Sequence, residues 1–126
     1  MLQIKKSHQQ GVTVLSLEGQ LIHGGETRAL AEQLAGLLKA GEVRVLLDLA
    51  AVGFIDSAGV AELVAGYSNL RRAGGDLKLC RPQPMIAKVF QVVKLTSRLG
   101  VCDSVAAGVA SLDESGANDP DAGGEG

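Results

Sequence analysis

The chain has few aromatic side chains: Phe54, Tyr67 and Phe90 are the only ones, and tryptophan is missing. Proteins that hold single-stranded nucleic acid stack its bases on aromatic platforms, so this class is disfavoured. Basic charge is short as well. Twelve lysines and arginines stand against fourteen acids among 126 residues, a net charge of −2. Asp113, Glu114, Asp119, Asp121 and Glu125 lie beyond Leu112 with no base among them, leaving nine acids against twelve bases, a net +3, elsewhere. A charge that small makes no basic face for a phosphate backbone.

Long apolar runs are lacking too, and nothing approaches the ~18 residues of a membrane span. Met1-Leu2-Gln3-Ile4-Lys5-Lys6 has neither the apolar stretch nor the cleavage site of a secretory signal, so a cytoplasmic protein without membrane insertion is expected. The two cysteines, Cys80 and Cys102, form no CxxC pair and have no neighbouring histidine. A structural zinc site needs about four such ligands in close pairs, so no metal is expected and the thiols are read as buried at strand ends.

Apolar residues make up 46% of the chain, which predicts one packed domain. Leu2–Lys6 and Val12–Glu18 read as strands of a hairpin turning at His8–Gly11. After a loop from Gly19 to Gly25, a helix starting at Glu26 carries Thr27, Leu30, Ala31, Leu34, Leu37 and Leu38 on one face, up to Gly41. Val43–Leu49 is nearly all apolar, the mark of a strand covered on both sides, and Ala50–Asp56 reads as the loop after it.

Ser57 to Arg72 predicts a second helix, with Val60, Leu63, Val64, Tyr67 and Leu70 inward and Ala58, Glu62, Ala65, Asn69 and Arg72 outward. Asp76–Cys80 is a strand, and Pro82 and Pro84 open a third helix with Ile86, Val89, Phe90 and Val93 buried. Leu99–Cys102 and Ser104–Leu112 complete the set, the last helix capped by Asp103 or Ser104. Strand and helix alternate after the hairpin, which predicts an α/β fold. Its sheet is mixed, antiparallel at the opening hairpin and parallel thereafter, packed with about four helices. Residues 1–112 form the domain, and 113–126 read as a disordered acidic tail.

The informative segment is Val52-Gly53-Phe54-Ile55-Asp56-Ser57-Ala58-Gly59, at the carboxyl edge where α/β sheets carry their functional loops. Ser57 is expected to be the helix N-cap, its hydroxyl accepting from the N–H of Gly59 or Val60. A phosphate there would add −1.5 to −2 charge at a helix end that accommodates an anion. It would change the surface over Ala58, Glu62 and Ala65 without changing the fold. Catalysis by Ser57 is disfavoured. A nucleophile elbow, G-x-S-x-G, needs glycine where Ile55 stands, and neither His8 nor His23 follows an acid late in the chain. Gly24-Gly25 has no Lys-Ser/Thr after it and makes no phosphate loop.

Asp48-Leu49 followed by Phe54-Ile55-Asp56-Ser57-Ala58-Gly59 resembles the signature of STAS domains, in particular bacterial anti-sigma factor antagonists. The resemblance extends over roughly Leu2 to Leu112, through Val14–Leu21, Gly74–Leu79 and Pro84–Val93 with Leu95-Thr96. It implies a STAS-like fold and a partner-switching regulator of transcription. The unphosphorylated protein binds an anti-sigma factor that is also a serine kinase; phosphorylation of the motif serine, here Ser57, releases it, and a phosphatase restores it. No cofactor belongs to the chain itself. Asp56 matches the acid beside the phosphosite, and His23 to Glu26 occupy the loop that helps contact the kinase. The partner-binding residues implied are therefore Asp56, Ser57, Ala58, Gly59, Glu62, His23 and Gly24. Ile22 stands where switching members often carry an acid. STAS domains also serve as scaffolds or subunits of transport assemblies, and that is the second reading.

Overall fold

Gln10 and Gly11 both take positive φ, 53° and 78°, the backbone twist that lets a two-residue turn join antiparallel strands. They close a hairpin of β1 (Leu2–Gln9) and β2 (Val12–Leu21), paired from Gln9 opposite Val12 to Leu2 opposite Gly19. His8 thus belongs to the strand, and its Nε2 lies 2.7 Å from Glu42 Oε1. The chain continues through α1 (Gly25–Lys39), β3 (Arg44–Ile55), α2 (Ser57–Arg72), β4 (Asp76–Cys80) and α3 (Pro84–Val92). A 3-10 turn (Leu95–Ser97), β5 (Gly100–Cys102) and α4 (Val105–Ala117) complete it. This computed structural model describes residues 2–117.

The five strands lie in sequence order, β1-β2-β3-β4-β5, antiparallel at β1-β2 and parallel at every later pairing. This is the mixed α/β sheet the alternation predicts. Because side chains alternate along a strand, β3 divides its apolar residues between two cores. Val45, Leu47 and Leu49 join Leu30, Leu34 and Leu37 of α1, Leu63 and Leu70 of α2, and Ile86 and Phe90 of α3. Leu46 points the other way, into a smaller cluster with Val12, Val14, Cys80 and, from α4, Val109 and Leu112.

Several elements run past their expected limits. β3 does not stop at Leu49: Ala51, Val52, Phe54 and Ile55 pair with Glu18, Gly19, Gln20 and Leu21 of a β2 that is longer by three residues. The two extensions supply each other's backbone hydrogen bonds. Register slips between Ser16 and Glu18 and again between Gly19 and Gln20, where Gly19 takes φ 122°, a conformation glycine adopts without strain. Val93 is 49% exposed, not buried, because α3 ends before it. Lys94 turns the chain at φ 58° and Leu95 takes the inward place. α4 is capped by Ser104, whose Oγ accepts from Ala107 N at 3.0 Å. The same helix continues to Ala117, into the segment expected to be tail; residues 118–126 lie outside the described residues.

Candidate functional site

Parallel strands bring their carboxyl ends to one edge, so the loop after β2 and the loop after β3 meet there. Asp56 joins them. Its Oδ1 accepts from Gly59 N at 2.9 Å, and its Oδ2 accepts from His23 N at 3.0 Å. Its own N–H donates to Leu21 O at 3.3 Å, and its carbonyl accepts from Val60 N at 3.0 Å, the first bond of α2. The N-cap of α2 is therefore Asp56, with φ −110° and ψ −174°, and not Ser57. Both residue types cap well, but only Asp56 has the extended backbone a cap requires. Ser57 is the first residue inside the helix. The N–H groups of His23 and Gly59 hold the Asp56 carboxyl below the ordinary aspartate range.

Ser57 is exposed, and among the described residues its side chain makes no hydrogen bond. The hydroxyl is free because the acid beside it has taken over the cap. Outward along α2 lie Ala58 and Glu62, both half-buried, then Ala61 and Ala65, both exposed. Desolvation by its surroundings raises the Glu62 carboxyl above its ordinary range. His23 is exposed and Gly24 half-buried in the loop that Asp56 holds. These residues share one edge of the molecule.

Gly59 does not share that surface. It is buried, and a Cβ built on it would lie 2.3 Å from the Leu21 carbonyl oxygen and 2.7 Å from Ile55 Cγ1. It offers nothing for a partner to touch; its place in the motif is to let the first turn of α2 sit against the end of β2. Gly66, about two helical turns on, gives the same close approach against Leu34 Cδ1, which a Cβ there would meet at 2.7 Å. Phe54, part of the motif segment, is 49% exposed three residues before Ser57 and adds an apolar side chain near this edge.

Other candidate groupings lead elsewhere. Among the described residues no cluster of histidine, cysteine or acid could hold a metal ion, and no helix is long and apolar enough to cross a membrane. Asp48, the earlier acid of the motif, points to the α4 side of the sheet. Its Oδ2 accepts from Arg81 Nη2 at 2.6 Å and its Oδ1 from Arg81 Nε at 3.1 Å and Ala50 N at 3.2 Å. Burial pushes this carboxyl up, and the Arg81 and Ala50 donors outweigh it and hold it low. It fixes the middle of β3 and takes no part at the Ser57 edge.

The STAS domain family matches residues 3–108. BtrV of Bordetella bronchiseptica, to which an anti-sigma factor antagonist role is ascribed, is 31% identical over 102 residues, covering 81% of this chain and 87% of that protein. The anti-sigma F factor antagonist of Paenibacillus polymyxa is 22% identical over 82% of this chain and 88% of its own length. In three dimensions the chain superimposes on the Bacillus cell fate determinant SpoIIAA in its phosphorylated form. The TM-score is 0.68 at 19% identity, over 89% of this chain and 99% of that one. By the extent of these matches, the chain belongs to the STAS domain family, alongside the bacterial anti-sigma factor antagonists.

Proposed function

We propose that the protein is an anti-sigma factor antagonist that binds an anti-sigma factor with serine kinase activity and is released when that kinase phosphorylates Ser57. One observation carries this reading: the Ser57 hydroxyl is exposed at the first turn of α2 while Asp56 alone supplies the cap. A kinase must reach the hydroxyl, and the product must not unfold the domain. The geometry supports both conditions. The Gly59 N–H that a phosphate could use is already held by Asp56, so the new group projects outward, beside a carboxylate kept ionised.

The added −1.5 to −2 charge therefore falls on the surface and leaves the fold as it was. A partner seated over Ser57, Ala58, Ala61, Glu62 and Ala65, with His23 and Gly24 at the margin, meets new bulk and a concentrated negative charge. Like charges juxtaposed across an interface cost several kcal/mol, enough to turn a tight complex into a weak one. The small side chains of that stripe suit close approach by a partner's backbone. A phosphatase resets the cycle, and the chain needs no cofactor, since ATP is bound by the kinase.

The test compares binding of the cognate anti-sigma factor to the wild type, Ser57→Ala and Ser57→Asp by calorimetry. The switch predicts that alanine binds as the unmodified wild type does and is insensitive to added ATP. Aspartate, and wild type after phosphorylation, bind at least about tenfold more weakly, a change of about 1.4 kcal/mol. Equal affinity of all forms contradicts it and favours a constant scaffold.

A further inference from the structure

Cys80 and Cys102 end neighbouring parallel strands and stand directly opposite each other, the last matched pair of the β4-β5 ladder. Parallel strands present paired residues on the same face, and both thiols lie in the α4-side cluster, Cys80 fully buried and Cys102 half-buried. Arg81 N donates to Cys102 O at 3.1 Å, which fixes the pairing one residue beyond the strand. Both cysteines are free.

We propose that this pair is a reversible oxidation site, in which a peroxide converts the two thiols into a Cys80–Cys102 disulfide across the edge of the sheet. Neighbouring strands are about 4.8 Å apart. Disulfides join Cα atoms about 4.4–6.8 Å apart, so the backbones already stand at bonding range. The Cβ atoms of a disulfide sit about 3.8 Å apart, closer than a parallel ladder holds them. β5 is three residues long and pairs with β4 alone, so it is the strand that moves in. A bond made by drawing an edge strand inward is strained and reduces readily, which suits a switch better than a staple.

The two thiols have different parts. Burial, and after it the Asp48 carboxylate, push the Cys80 thiol up to about 12, so it is a poor first nucleophile. Cys102 reaches solvent and attacks first: its sulfur takes one peroxide oxygen, the O–O bond breaks, and water leaves. The Cys80 sulfur then displaces the hydroxyl from the Cys102 sulfenic acid. An S–S bond forms, the S–O bond breaks, and the Cys80 proton departs with the hydroxyl as a second water. The sulfurs lose two electrons and the peroxide gains them. Cys80 stands opposite Asp48 in the β3-β4 ladder, so the step bears on the Asp48–Arg81 pair in the middle of β3.

The test treats the folded full chain with hydrogen peroxide and follows thiol content and intact mass without reductant. A monomer that has lost two hydrogen atoms is expected, with a peptide linking Cys80 to Cys102, and dithiothreitol should restore both thiols. In Cys102→Ser, loss of the Cys80 thiol should slow by at least about tenfold, since the buried thiol must then react alone. Three results overturn the proposal: Cys102 held as a sulfinic acid beside an intact Cys80 thiol, a disulfide between two chains, or both thiols untouched. None of these bears on Ser57, so this proposal and the partner switch fail separately.

Discussion

The two faces of the sheet differ in how they are covered. One is packed by α1, α2 and α3 and holds a continuous apolar core around Leu47, Leu63, Leu79 and Phe90. The other has α4 alone, over Val12, Val14, Leu46 and Cys80, and is finished by polar groups: the Asp48–Arg81 pair and the Lys78–Ser111 contact. The Ser57 edge belongs to the first face, where α2 is anchored by Leu63, Gly66 and Leu70. A modification at a rigidly held helix end changes what the surface presents; at a loosely held one it would change the fold. The deep face therefore suits recognition, and the thin face suits local chemistry such as that of Cys80 and Cys102.

If that contrast holds, truncation should cost unequally. Phe90→Ala, on the deep face, should destabilise by about 3–5 kcal/mol in urea unfolding. Val109→Ala, on the thin one, should cost about 1–2.5 kcal/mol. Equal losses would mean that α4 carries as much of the fold as the other helices together. Between those two in size falls Gly59→Ala. The atom its Cβ meets is a backbone carbonyl, so α2 must lift from β2, at a cost of about 3 kcal/mol. A stable Gly59→Ala protein would show that the first turn of α2 is not held as described.

The cap separates Asp56 from its neighbour. Asp56→Ala should destabilise the fold more than any change at Ser57, since it frees the Gly59 N–H and the His23 N–H together. This contribution also has a definite pH sense. The folded-state carboxyl is held low, so its stabilisation is present above the ordinary aspartate range and fades as the pH falls through it. The stability difference between wild type and Asp56→Asn should narrow on acidification in the same way. Ser57→Ala, by contrast, should change stability by no more than about 0.5 kcal/mol, because its hydroxyl holds nothing. A larger loss would return the cap to the serine.

Much of this was legible in the residues. The apolar spacing of Leu30, Leu34 and Leu37, the buried run Val45–Leu49 and the strand–helix alternation led to the observed sheet. What escaped were features settled between segments distant in sequence. Ala50–Ile55 looks like a loop because alanine and glycine are weak strand formers, and it is a strand because Glu18–Leu21 needs a partner. Asp56 and Ser57 are equally good caps on paper; the choice is made by the His23 N–H, which only the folded loop brings to Asp56. Gly59 reads as a surface residue of a helix face until the Leu21 carbonyl is placed over it. Cys80 and Cys102, 22 positions apart, become a pair only through the register of β4 and β5.

Whether the exposed Ser57 hydroxyl is used decides between a switch and a constant scaffold. Mass spectrometry of the protein incubated with the anti-sigma factor kinase proposed as its partner, and with ATP, reads this without intermediaries. One phosphate is expected, located at Ser57 and missing from Ser57→Ala, with the modified form no longer bound to the kinase. Phosphate on another residue, or a Ser57-phosphorylated form that stays bound, would contradict it.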